Sequence, residues 1–266
     1  MRFPAVGVFL FCSTVMLMIA NATCGQEFRI ETEVFADDAE QPVSANLTLF
    51  SRGLVYDFLT IYDGEATSGK AEAEQIVIYD RDHQKLVMID VPRRIKLTLS
   101  HEDILRFNAA QQARPGLQKK NPFLFNPEFQ ESFDEETGWL TLSSPRMNYR
   151  VKGYATDDKA ALSVYQDFAN WYVRLNAIDP RKMPPFARLE LNKAIADRDM
   201  IPEQVELTFK PDGLLGRKIE ARSRHYVIWK LSETDRKRIE SADAHWVESE
   251  EVSVQRFYNV DAVEKR

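Results

Sequence analysis

Residues 27 to 35 read EFRIETEVF, and their alternation decides the fold: Phe28, Ile30, Thr32 and Val34 fall on one side, with Arg29, Glu31 and Glu33 on the other. A period of two belongs to a pleated strand, and a charge at every second position keeps one of its faces in water. The same design returns three times. Ile95, Leu97 and Leu99 alternate with Arg94, Lys96 and Thr98; Met147, Tyr149 and Val151 with Asn148, Arg150 and Lys152; Val205, Leu207 and Phe209 with Glu206, Thr208 and Lys210. Further strands are predicted near residues 45–50, 54–62, 75–80, 85–91, 138–143, 217–229 and 252–258.

Turn residues stand between these runs: Ser51-Arg52-Gly53, Asp80-Arg81-Asp82-His83, Glu135-Glu136-Thr137-Gly138 and Pro211-Asp212-Gly213. Returns this short join antiparallel neighbours. A parallel sheet needs a crossover helix between most strands and buries both faces, so one-sided alternation disfavours a doubly wound fold.

Helices are fewer. Ser100 and Asp103 have the spacing of a capping box and open residues 101–112. Over residues 157–176, Ala161, Val164, Tyr165, Phe168, Trp171, Tyr172 and Leu175 recur every three or four positions, which predicts a long amphipathic helix with an aromatic face. Residues 187–198 form a shorter helix behind Pro184-Pro185, and Ser232 with Asp235 begins another that ends near Ala242. The expected class is α+β: a predominantly antiparallel curved sheet or open half-barrel, with the aromatic helix packed on it.

The chain has 266 residues, with 35 Lys plus Arg against 41 Asp plus Glu, a formal charge of −6, and 44% hydrophobic residues. This is ordinary globular composition, and its negative balance without a Lys/Arg cluster argues against a nucleic-acid partner. At the start, Arg2 precedes the uncharged run AVGVFLFCSTVMLMIA at residues 5–20, then Ala20-Asn21-Ala22. Those are the parts of a secretory signal peptide. The expectation is residues 1–25 as signal, cleaved near Ala22 or Gly25, and residues 26–266 as a single exported domain, periplasmic or extracellular, anchored in the membrane if uncleaved. Cys12 and Cys24 are the only cysteines, so the exported domain has no internal disulfide.

Chemical motifs are incomplete. Gly64 to Ala71 resembles a phosphate-binding loop but has Ala71 where a hydroxyl should meet Mg²⁺, so no nucleotide is expected. His83, His101, His225 and His245 show no paired metal spacing and are read as turn, helix and strand residues; no metal or cofactor is expected. Asp80-x-Asp82 opens like a calcium loop but has Lys85 and Val91 at the positions that need Gly and Glu. There is no GxSxG string, and Asn46-Leu47-Thr48, a glycosylation triplet, lies inside a predicted strand. A hydrolase with acids dispersed along the chain stays as an alternative.

The longest loop, residues 113–131, carries Phe123 and Phe125 between two Asn-Pro turns and Phe129 just after the second, placed either to plug one end of the core or to gate it. With Tyr165, Phe168, Trp171, Tyr172 and Leu175 of the long helix they form the candidate ligand-binding set, and no catalytic residue is assigned.

Residues 45 to 99 resemble the periplasmic lipoprotein-carrier half-barrels (LolA/LolB-like). The likeness rests on ANLTLFSRG at 45–53 followed by a strand, EQIVIYD at 74–80, and Lys85-Leu86-Val87, similar to the family's polar-to-apolar strand, second strand and tyrosine-aspartate hairpin. The resemblance implies a half-barrel and lipoprotein-carrying activity; the chain differs in lacking an amphipathic helix before its first strand, and no individual binding residue carries over. The function expected is an exported, non-enzymatic protein holding a lipid or other apolar ligand in the concave face of its sheet. The alternative is a structural or interaction module with a cell-envelope protein as partner.

Overall fold

The computed structural model describes residues 27–62, 74–113, 116, 122–179, 181–210 and 218–259. The signal segment, the Gly64–Ala71 loop and the Pro211-Asp212-Gly213 turn lie outside the described residues.

Two antiparallel meanders make one sheet. The first runs through β1 (Phe28–Ala36), β2 (Ser44–Ser51), β3 (Leu54–Ile61), β4 (Gln75–Asp80), β5 (Lys85–Asp90) and β6 (Ile95–Ser100). The second runs through β7 (Gln130–Asp134), β8 (Trp139–Ser143), β9 (Met147–Ala155), β10 (Met200–Phe209) and β11 (Ile219–Ile228). They are sewn together where β1 pairs with β11, from Arg29↔Ile228 to Ala36↔Ala221. A last strand, β12 (Glu250–Glu251), lies parallel to β6 at one edge, giving an unclosed sheet of 12 strands. The α+β, mainly antiparallel architecture is thus the one that the alternating segments call for.

The hairpins show why the returns are tight. Between β2 and β3, Arg52 and Gly53 both take positive φ (51° and 83°), the backbone of a two-residue type I′ turn. Three other hairpins share a device. Asp80, Asp90 and Asp134 each end a strand and accept the amide of the residue three places on, His83, Arg93 and Thr137. The next residue, Gln84, Arg94 or Gly138, then turns left-handed. This is how the calcium-like Asp80 segment is used: its carboxylate closes a turn. In β9, Gly153 faces Pro202 of β10 beside an irregularity between Pro202 and Gln204; a Cβ there would sit 2.6 Å from the Ile201 carbonyl oxygen.

Six helices are described: α1 (His101–Gln112), α2 (Pro122–Phe125), α3 (Lys159–Asn176), α4 (Phe186–Ala196), α5 (Glu233–Glu248) and α6 (Val254–Tyr258). Ser100 and Asp103 form the capping box of α1, and Ser232 with Asp235 that of α5. On the inner face of the first meander, α1 and α3 bury Val77, Tyr79, Leu86 and Met88. Because side chains alternate across a strand, Ile76, Ile78, Val87 and Ile89 point outward, and there α5 covers them with Ile239, Ala242 and Trp246. Arg29 of β1 holds α5 down through the fully buried Asp235, at 2.9 and 3.0 Å. The second meander is covered on its inner face, where α4 packs Leu191 and Ile195 against Leu140, Val151 and Val205.

Three elements differ from the sequence expectation. Residues 252–258 are not a strand: the Ser253 hydroxyl caps the Arg256 amide and starts α6, which delivers Phe257 into the core. α5 continues past Ala242 to Glu248, because Trp246 extends its apolar face by one turn. β7 begins in the stretch expected as loop, at Gln130 and Glu131, runs on to Asp134, and is held by pairing with β8.

Candidate functional site

The inner positions of β1, β11, β10 and β9 face a gap. Where the first meander presents Phe28, Phe50 and Tyr79, the centre of the second presents Ala221 and Ser223 of β11, side chains too small to reach the helices opposite. A half-open cavity of about 400 Å³ results, walled by those strands and by the chain from the end of α3 to the start of α4. Val34, Leu124, Met147, Val205 and Leu207 supply its apolar lining.

Its polar groups are few. The His225 ring meets the Thr32 hydroxyl with Nδ1 at 3.0 Å and the Ser223 hydroxyl with Nε2 at 2.9 Å. A serine beside an imidazole is the pair used in acyl transfer, but such pairs need a carboxylate behind the ring to stabilise the imidazolium. Here a threonine hydroxyl takes that place, and burial, reinforced by the nearby Arg188 charge, pushes His225 down to about 3. The ring is therefore neutral and a weak proton acceptor, with both of its nitrogens engaged by hydroxyl groups.

Another wall is formed by Tyr172 of α3. Asp57, buried on the inner side of β3, accepts from Thr48 Oγ1 (2.7 Å), Asn46 Nδ2 (2.7 Å) and the Tyr172 hydroxyl. Burial pushes the Asp57 carboxyl up, against those three hydrogen bonds. Asn46, the head of the glycosylation triplet, is thus committed to an internal network. Asp57 sits behind Tyr172; no aspartate or glutamate among the described residues lines the cavity itself.

Its charged side chains are cationic. Arg188, in the first turn of α4, is half-buried, and Lys182 is exposed. Arg222 contributes main chain, since its guanidinium lies on the opposite face, over Phe35 and bonded to the Ala39 carbonyl.

Of the eight residues predicted from sequence, Tyr172 lines this cavity. Phe168 and Leu175 are buried in the core of the first meander, with Tyr165 and Trp171 packed against it; Trp171 stacks on His101 with ring centroids 3.4 Å apart. Phe123 lies against Phe209, Phe125 against Phe186 and Phe129 against Tyr149, all at the end of the second meander. Their neighbour Leu124 is the loop residue that reaches the cavity. Sequence reasoning missed Thr32, Lys182, Arg188, Ser223 and His225 as a group. The one usable signal lies in β11, where Ala221, Ser223 and His225 alternate with Glu220, Arg222 and Arg224. A strand whose sheltered side is small and uncharged leaves room in front of it.

Among the described residues no cluster of three His, Cys, Asp or Glu is placed to hold a metal ion, and no helix is long and apolar enough to cross a membrane. No known protein-family model matches the chain, and no curated protein sequence is similar to it.

Proposed function

We propose that this chain is an exported, non-enzymatic binding protein that holds an apolar ligand in the cavity between β1, β11, β10, β9 and the α3–α4 connection. In this reading the sheet curves around the guest as an open half-barrel, and α3 is the amphipathic aromatic helix that closes its inner side. The cavity carries the proposal: about 400 Å³ falls within the usual range for small-molecule sites, roughly 300–1,000 Å³, and its lining is mostly aliphatic. The neutral, doubly hydrogen-bonded His225 and the lack of a lining carboxylate favour holding over hydrolysis. Export rests on the apolar run at residues 5–20 and the small residues after it.

An interaction role draws less support. The Phe-rich loop is turned against Phe209, Phe186 and Tyr149. The exposed edge strand β7 carries Glu131 and Asp134, with Arg198 paired to Glu131 and lying over Phe133, the kind of charged edge that discourages further strand pairing.

Native mass spectrometry and solvent extraction of gently purified protein test the proposal. The expected result is a stoichiometric non-protein mass, or binding of the neutral fluorophore N-phenyl-1-naphthylamine that Leu207→Trp abolishes. A protein that is empty and leaves the fluorophore in water would end the binding reading.

A further inference from the structure

Resting on that reading, we propose that the guest is a single-chain amphiphile with an anionic head, its carboxylate held by Arg188 and Lys182 at the mouth and its tail lying along Val34, Leu124, Met147, Val205 and Leu207.

The sign of the cavity is the first argument. The whole chain is acidic, at −6, yet the described side chains that line this space include two cations and no acid. The state of Arg188 is the second. Its Nε donates to the neutral Asn192 side chain at 3.2 Å, and no described carboxylate lies within ion-pair distance of it. Elsewhere in the molecule Arg29 meets Asp235, Arg181 meets Asp179 and Arg198 meets Glu131. A half-buried guanidinium without a counter-charge is costly unless something supplies one. The helix adds to the field: α4 has no acidic residue in its first turn and Pro185 provides no side-chain cap, so the positive end of its dipole has the same sign as Arg188. His225, Tyr149 and Tyr165 each feel the Arg188 charge.

The shape selects the rest of the molecule. A largely apolar space of about 400 Å³ with two cations on its wall suits one acyl-type tail, and it is too small for the several chains of a lipoprotein anchor. A planar, bidentate guanidinium also suits a carboxylate, and such charge-assisted bonds are roughly twice as strong as neutral ones.

Three probes with one tail and different heads decide the matter: dodecanoate, dodecanol and dodecyltrimethylammonium, each used to displace N-phenyl-1-naphthylamine from the full chain. Dodecanoate should displace it at about tenfold lower concentration than dodecanol, the equivalent of one charge-assisted hydrogen bond, with the cation weakest. Arg188→Gln, with Lys182→Gln as a second variant, should abolish the preference for dodecanoate over dodecanol measured within the same variant. Arg188→Lys should keep part of the preference. Equal displacement by all three in the native protein would overturn the anionic head and leave the cavity reading standing. A dodecanoate preference untouched in both glutamine variants would overturn the assignment to these residues. A fluorophore that never binds would overturn the cavity itself.

Discussion

In the first meander the inner positions carry large apolar side chains packed against the helices: Phe28 and Phe50 stack at 4.0 Å, and Phe168 of α3 meets Phe50 edge-on at 6.0 Å and Tyr79 at 6.2 Å. In the second, the positions nearest the junction are Ala221, Ser223, Val205 and Leu207, and a cavity stands before them. Both halves are antiparallel, both carry helices on the same face, and they differ in side-chain volume. Solid or hollow is therefore set residue by residue, not by the topology. The outer faces differ too, since α5 covers the first meander alone.

That contrast is open to test. Phe168→Ala should cost about 4 kcal/mol in urea denaturation, because it removes a large side chain from a region that cannot collapse around the loss. Leu207→Ala, beside space that already exists, should cost about half as much; equal costs would mean that the second meander is packed as tightly as the first.

Asp235 tests the anchoring of the outer helix. Asp235→Asn should cost about 3 kcal/mol at pH 7, since it breaks a buried pair and leaves Arg29 with Glu31 as its remaining ionic partner. Burial alone would raise the Asp235 carboxyl, but the Ser232 hydroxyl and amide and the Arg29 guanidinium outweigh it and hold it below 3.8. A carboxyl depressed on folding stabilises above its unfolded value and ceases to do so as pH falls through its folded one. The gap between native protein and variant should thus be constant from pH 5 to 8 and shrink below pH 3.8. A gap independent of pH would mean that the Asp235 carboxyl is not depressed on folding.

The smallest effect on stability is expected at the cavity. Ala221→Leu should change it by less than about 1 kcal/mol, where insertion into a filled core typically costs 1–3. The same substitution should weaken N-phenyl-1-naphthylamine binding at least tenfold. Loss of stability without loss of binding would show that Ala221 faces packed neighbours.

Much of this architecture was legible in the residues. The alternations at 28–34, 95–99, 147–151 and 205–209 are strands, and the capping boxes at Ser100 and Ser232 begin helices. β4 and β5 read as nearly unbroken apolar runs, and the reason is physical: α5 takes one side of them and α1 with α3 the other. β7 was hidden because QESFD has neither apolar periodicity nor shelter, and all of its residues are exposed. Residues 252–258 read as a strand because Val254, Phe257 and Tyr258 are good strand formers, whereas the Ser253 cap that starts α6 is a local hydrogen bond that outweighs such a preference. The site was the least legible part. Arg188 looks like any helical arginine until the fold sets it opposite Ser223 and His225, and the large aromatics that attract attention in the string are the residues that fill space.

The seam between β1 and β11 bears on how the molecule comes into being. Thr32 touches His225 across 193 positions of chain, and Arg29 reaches Asp235 across 206. β1 has β2 at hand on one flank as soon as both are synthesised, while its other flank must wait for β11. Contacts so remote in sequence slow folding. One margin of the opening ribbon therefore stays bare until the closing ribbon is made, and the two halves lock in a single late event.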